Sequence, residues 1–384
     1  MYGYGWPVSL LLEITYRRIM RIGILTYHRA HNYGAMLQAY ALRTFLQEHG
    51  HIVDFIDYWP VEHAKEYALL RQIKGSDVLD YCKNVIANAL TFWRRWHRIY
   101  QFNTFAKEYL QLPTKASYST RAASICEKYD CVVVGSDQIW RNYSSIGKYY
   151  GFDPTYFCQT LVHPTHCITY AASMGVVQMD TDDWKRFCGY LNAFSTILVR
   201  EQSLANLVRQ AGHNASVVID PTLLLDKTFW NRVLPSSRFC KERYVLYYEL
   251  MNSPEALAYA KQKAKELHCK LLIMDARIPY IQSPRHISFA SPIQFMQAIR
   301  DAEFVIPTSF HGTAFSLIFE KQFIATGLQK NADRVQTLLS LLKIPNYYQI
   351  TPCNLPNINY SKINKQLQFL RNDSIEKLQR AIES

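Results

Sequence analysis

Four times along this chain a short apolar, often β-branched run ends in a polar or glycine-containing turn that opens an amphipathic run. Arg21 to Leu25 leads into Thr26 to Gly34, and Val132-Val133-Val134 into Gly135-Ser136-Asp137-Gln138. Ile197-Leu198-Val199 leads into Arg200-Glu201-Gln202-Ser203, and Glu303 to Pro307 into Ser309-Phe310-His311-Gly312. Alternating strand-length and helix-length patterns build mostly parallel sheets covered by helices on both faces. In open sheets of that kind ligands bind outside the carboxyl ends of the strands. The polar residues of these four turns are therefore the first candidates for a site.

The alternation runs through a first series of expected strands (21–26, 51–57, 131–134, 166–172, 196–199, 216–219). It is punctuated at Asp220-Pro221-Thr222 and restarts at 244–250, 270–274, 303–306 and 322–326. A chain of 384 residues also exceeds what one core usually serves. The predicted fold is α/β, with two doubly wound Rossmann-like domains facing a cleft. The boundaries are a lead over 1–20, a first domain over 21–225 with a helical insertion at about 60–125, a second domain over 240–345, and a tail with a helix over 346–384. The insertion carries an aromatic stripe (Phe92, Trp93, Trp96, Tyr100, Phe102, Phe105) that reads as packing.

Composition excludes more than it selects. Nine cysteines form no Cys-x-x-Cys pair and no zinc spacing, which points to free thiols in a reducing, cytoplasmic setting and to no bound metal. The apolar run Val8 to Leu12 is too short to span a bilayer. A formal charge of +12 favours anionic partners, whether phosphorylated substrates, a membrane surface or nucleic acid. The cations are dispersed and no recognition motif accompanies them, so a non-catalytic basic module is the least supported class and no nucleic-acid partner is expected.

Six pieces in order carry a resemblance. They are Gly23 to Thr26 with Asn32 to Ala35, Val134 to Trp140, Tyr170 to Gly175, Val199-Arg200-Glu201 with Ser203, Asp220 to Leu224, and Thr308 to Gly312. With these the chain resembles the polysaccharide pyruvyl transferase family. The resemblance implies a GT-B-like pair of domains, the first on the acceptor side and the second on the donor side. It also implies transfer of a pyruvyl unit from phosphoenolpyruvate, as co-substrate and without further cofactor, to a saccharide in capsule or exopolysaccharide biosynthesis. The acceptor would be nucleotide- or lipid-linked, with peripheral contact at the inner membrane face left open. A glycosyltransferase using a nucleotide sugar is the alternative, with Asp275, Glu303 and Glu320 as the available acids for a donor ribose.

His311 is the candidate acid/base, because imidazole exchanges protons near neutral pH. Asp137 is the candidate for a sugar hydroxyl or a general base, although Ser136 and Asp137 also fit a helix cap. Arg200, at a helix start, needs an anion to compensate it, from a ligand or from Glu201. Arg334 and Lys330 are further anion binders by resemblance, and Ser309, Gly312, Asn32, Gly34, Gly135 and Ser136 complete the substrate-binding set. Tyr27, His28 and His31 are candidates for a first-loop base. Asp220 reads as a turn outside the catalytic residues, and Trp140 as packing or a sugar platform. The arrangement expected is an imidazole from the second half facing a guanidinium from the first across one crevice.

Overall fold

A computed structural model describes residues 18–70, 78–120, 124–143, 151–163, 165–175, 179–278, 286–327 and 332–384. Most of the expected lead, and Lys330, lie outside them. The first series forms a six-stranded parallel sheet from β1 (Arg21–Leu25), β2 (Ile52–Phe55), β3 (Cys131–Val134), β4 (His166–Ala172), β5 (Thr196–Val199) and β6 (Ser216–Val217), in the order β2-β1-β3-β4-β5-β6. The second forms a five-stranded parallel sheet from β7 (Tyr244–Glu249), β8 (Lys270–Asp275), β9 (His286–Ile287), β10 (Phe304–Pro307) and β11 (Gln322–Phe323), in the order β11-β10-β7-β8-β9.

Each order reverses once, between β1 and β3 in the first sheet and between β7 and β10 in the second. Those are the switch points where a crevice opens in a doubly wound sheet. The fold is thus the expected pair of Rossmann-like lobes facing a cleft. The run 322–326 is not one strand. Its second half becomes β12 (Ala325–Thr326), which leaves the sheet to pair with β13 (Tyr348–Gln349).

The helix Tyr33–Glu48 shows why local sequence and packing agree. Asn32 caps it by accepting from the Ala35 amide at 3.2 Å, and Leu37, Ala41 and Phe45 are buried along one face. That helix also meets the second lobe, with Tyr33 stacked on Phe295 at 4.7 Å and 3° between planes. One buried apolar cluster runs from Ile22 of β1 through Phe295 to Ile382.

The terminal helix Tyr360–Glu383 returns to the first lobe. Ser374 Oγ accepts from the Ile219 amide at 3.1 Å, and the Arg371 guanidinium donates to the Leu223 carbonyl at 2.8 Å. All nine cysteines are free, Cys131 buried and Cys269 half-buried. No helix among the described residues is long and apolar enough to cross a membrane.

The insertion holds the helices Val61–Glu66 and Val78–Glu108. Its aromatic stripe is not all packing. Phe102 and Phe105 are buried, whereas Phe92, Trp93, Trp96 and Tyr100 are exposed.

Candidate active site

The two switch points open into one cleft of about 300 Å³. The first lobe contributes Tyr27 and Asn32 from the loop after β1, Gly34 from the helix that follows, and Asp137, Gln138 and Arg141 from the loop after β3. The second contributes Tyr248 and Leu250 after β7, Ser309, Phe310 and His311 after β10, and Arg334. The helices Tyr33–Glu48, Phe310–Ile318 and Asp333–Leu341 begin at this cleft, with Asn32 and Ser309 as side-chain caps of the first two. Converging helix N-termini favour an anion.

His311 stands in the first turn of its helix, whose cap Ser309 accepts from the Gly312 amide at 2.9 Å. The imidazole lies against Gly34 of the other lobe so closely that a Cβ there would fall within the ring. Gly34 is therefore glycine for clearance, where two helices from different lobes meet. A Gly34→Ala protein is expected to lose about 100-fold in turnover, with its His311 ring displaced, since misplacing a reacting group by about 1 Å costs that order. Steady-state kinetics beside a structure of the variant checks it, and unchanged turnover contradicts it.

Behind the imidazole lies Asp220, fully buried, its Oδ2 3.5 Å from His311 Nε2. That distance is long for a hydrogen bond but close for a charge in a desolvated site. The same oxygen accepts from Arg200 at 2.7 Å and lies 3.2 Å from Ser136 Oγ, while Oδ1 accepts from the Thr222 amide at 3.0 Å and its hydroxyl at 2.8 Å. Burial would raise this carboxyl, but His311, Arg200 and the Thr222 amide together hold it far below the usual carboxylate range. Asp220 does cap the short turn Pro221–Leu224 and does not line the cleft, as its sequence reads, but residues from three elements distant in sequence also converge on it.

Arg200 does not line the cleft. It is buried beneath it, bonded to Asp220, 3.5 Å from Asp137, and 4.6 Å from the Phe310 ring. Compensation comes first from those two carboxylates and then from Glu201, which does not bond to the guanidinium. Glu201 accepts its hydrogen bonds from Ser173 Oγ and the Met174 amide, both at 2.9 Å. The imidazole and guanidinium expected on opposite walls are thus joined through Asp220.

Two guanidiniums do line the cleft, Arg141 and Arg334, and of these Arg334 is only 9% exposed with its Nε unbonded among the described residues. Burial and repulsion from Arg200 bring it down to about 10. Asp137 faces the same space at a left-handed φ of 77°. Burial pushes its carboxyl up, but Arg200, His311 and Arg334 more than offset that, so it sits below its ordinary value and is ionised.

Residues 138–143 form turns with no helix among them, so the capping explanation of Ser136 and Asp137 fails. Ser136 is buried, donating to the Ala171 carbonyl at 2.9 Å. Gly135, at φ 120°, has its missing Cβ filled by the Tyr170 carbonyl. Gly312 packs against Pro307 and Tyr248 rather than opening on the cleft.

The first loop holds no ready base. Tyr27 lines the cleft, but burial first, with neighbouring tyrosines, raises it well above 10, so it keeps its proton. His28 is buried between the Thr26 carbonyl at 2.9 Å and Asp57 at 3.1 Å. His31 lies outside this cleft, and burial and Arg98 bring it down to about 4. Trp140 is core, stacked on Phe157 at 5.0 Å. Of the acids considered for a nucleotide ribose, Glu303 pairs with Arg243 at 3.0 Å, Glu320 with Lys227 at 2.5 Å and Asp275 with His286 at 2.8 Å.

Sequence reasoning missed Arg141, although it stands three residues beyond Gln138 in an already suspect loop. It also missed the insertion's share of the wall, His63, Glu66 and Tyr67. His63 bonds the Tyr143 hydroxyl, which in turn lies 2.9 Å from that of Tyr27.

Among solved structures the chain is similar to the UDP-N-acetylglucosamine 2-epimerase of Rickettsia bellii, at 9% identity and TM-score 0.43 over 95% of this chain and 98% of that one. It is also similar to the UDP-GlcNAc-bound 2-epimerase of Neisseria meningitidis, at 10% identity and TM-score 0.40 over 92% and 99%. A third is the glycosyltransferase SsfS6 of Streptomyces sp. SF2575, at 11% identity and TM-score 0.40 over 95% and 99%. No curated protein matches the sequence. The sequence profile of polysaccharide pyruvyl transferases matches residues 32–329, a span from the Asn32 cap past His311, and the chain belongs to that family.

Proposed function

We propose that the protein transfers a pyruvyl unit from phosphoenolpyruvate to a saccharide and closes it as a ketal, with no further cofactor. The observation that carries this reading is Arg334, a buried cation whose Nε has no hydrogen-bond partner among the described residues, in a cleft fed by three helix N-termini. A substrate with a phosphate and a carboxylate supplies the charge such a wall lacks.

Imidazolium His311 protonates the methylene carbon of the donor, which becomes a methyl group and leaves an oxocarbenium-like centre at the carbon bearing phosphate. One sugar hydroxyl adds there and gives up its proton. A second hydroxyl then displaces inorganic phosphate and closes the ring, its proton leaving with a base. Asp137, ionised and facing the cleft, accepts a hydrogen bond from the attacking hydroxyl. Arg334 and the positive ends of the helices that begin at Asn32 and Ser309 hold the donor's anionic ends, and Lys330 is a further candidate for them. Asp220 positions the imidazole without touching substrate.

Incubation with phosphoenolpyruvate and a panel of glycosides should release phosphate in step with a one-ketal mass gain of the acceptor. Failure to bind the donor at high concentration by calorimetry ends the proposal. Arg334→Met should weaken donor binding about 10- to 100-fold, the range for a lost charge-assisted contact, with a smaller change in kcat. Unchanged donor affinity would remove Arg334 from the site.

A further inference from the structure

Arg334 sits where its own helix does little to keep it. It stands in the first turn of Asp333–Leu341, at the positive end of the helix, and the buried Arg200 repels it. Ala332, at the cap position, gives that helix no side-chain cap. An uncapped first turn frays readily, because its amides have no partner within the helix. Yet Arg334 is buried and lines the cleft.

What fixes this turn comes from the other lobe. Ser203, in the first turn of the helix Gln202–Gln210 that follows β5, donates its hydroxyl to Asp333 Oδ2 at 2.5 Å. That length falls in the range of a hydroxyl bonded to an ionised carboxylate, a bond roughly twice as strong as a neutral one. One turn further along, the Gln202 amide lies 3.5 Å from Thr337 Oγ1, a longer contact between the same two helices. Ser203 and Asp333 are both half-buried, so water competes less for their bond than on an open surface. Asp333 immediately precedes Arg334, although 130 positions separate it from Ser203.

We propose that Ser203 is a positioning residue for Arg334: by holding Asp333 from across the lobe boundary, it fixes the first turn of the second-lobe helix and keeps the guanidinium in the cleft. Ser203 does not itself line the cleft and acts through Asp333. A bond that only joined the lobes would let Arg200 and Arg334 loosen together, whereas one that fixes this turn lets Arg334 loosen alone. The tether stands on geometry, and its effect on phosphoenolpyruvate rests on the function proposed above.

The test removes the hydroxyl with Ser203→Ala and restores it with Ser203→Thr. Phenylglyoxal, which modifies accessible guanidiniums, should modify Arg334 of Ser203→Ala at least about fivefold faster than that of the parent, read by peptide mass spectrometry, with Arg200 unreactive in both. Calorimetry should show phosphoenolpyruvate bound about tenfold more weakly by Ser203→Ala, the scale of one lost charge-assisted hydrogen bond, with kcat changed far less. Ser203→Thr should recover both the protection of Arg334 and the affinity. Asp333→Ala, which breaks the same bond from its other side, should reproduce the Ser203→Ala behaviour. In an Arg334→Met background, Ser203→Ala should change donor affinity less than about twofold, because the tether acts through that one side chain. Arg334 reacting at the parent rate overturns the proposal, as does Arg200 gaining reactivity in step with it. In a parent that binds the donor, faster modification with unchanged affinity overturns it, and so does an undiminished loss in the Arg334→Met background. A parent that binds no phosphoenolpyruvate, while Ser203→Ala exposes Arg334, would end the function above and leave the tether standing.

Discussion

Replacing His311 with asparagine is expected to lower turnover by about 10³-fold or more while leaving phosphoenolpyruvate bound. General acid–base groups contribute about 10²- to 10⁴-fold, and here one imidazole is asked to protonate carbon, the harder of the proton transfers. Asparagine keeps a polar group of similar reach and relieves the contact with Gly34, so the fold should survive. Single-turnover phosphate release, with donor affinity measured separately, checks it. An Asn variant that turns over normally would leave His311 a packing residue at the meeting of two helices.

The second large effect is expected at Asp220. Asp220→Asn preserves shape but removes the charge shared by His311 and Arg200. Turnover should fall about 10²- to 10³-fold with donor affinity changed far less, because the residue acts through the imidazole's orientation and charge rather than on substrate. Stability supplies an independent readout. The folded carboxyl is depressed below its unfolded value of about 3.9, so its stabilisation is present above that pH and is lost as pH falls toward the folded value. The parent should therefore lose stability between about pH 4 and pH 2 more steeply than Asp220→Asn. Parallel curves from urea unfolding across that range would contradict the depressed carboxyl.

The strands were legible because each is a short apolar run in a sheet covered on both faces, where nearly every residue faces the core. Cys131–Val134, all four residues buried, is the plainest case. The run 322–326 misled for the same reason. Apolar spacing does not say which sheet a residue joins, and β12 pairs with a strand more than twenty residues on.

In the candidate site, residues that end strands were found because position alone nominates them, as with Asp137 and His311. The pairing of Asp220 with Arg200 and His311 was not foreseen, since those partners lie 20 and 91 positions away in the numbering. Pro221 gave Asp220 a sufficient local explanation. The outward stripe of Val78–Glu108 failed differently. A helical period marks a face as apolar, but only the packed lobes show that the face has been left uncovered.

The imidazole belongs to one lobe, and the glycine and carboxylate that seat it belong to the other. Separating the lobes by a few ångströms would withdraw His311 from Asp220 and release it from Gly34. The gaping protein would then admit water and donor together while lacking a properly aimed acid. For the reaction proposed above, an enol phosphate bound in that open form would lack the acid that protonates it.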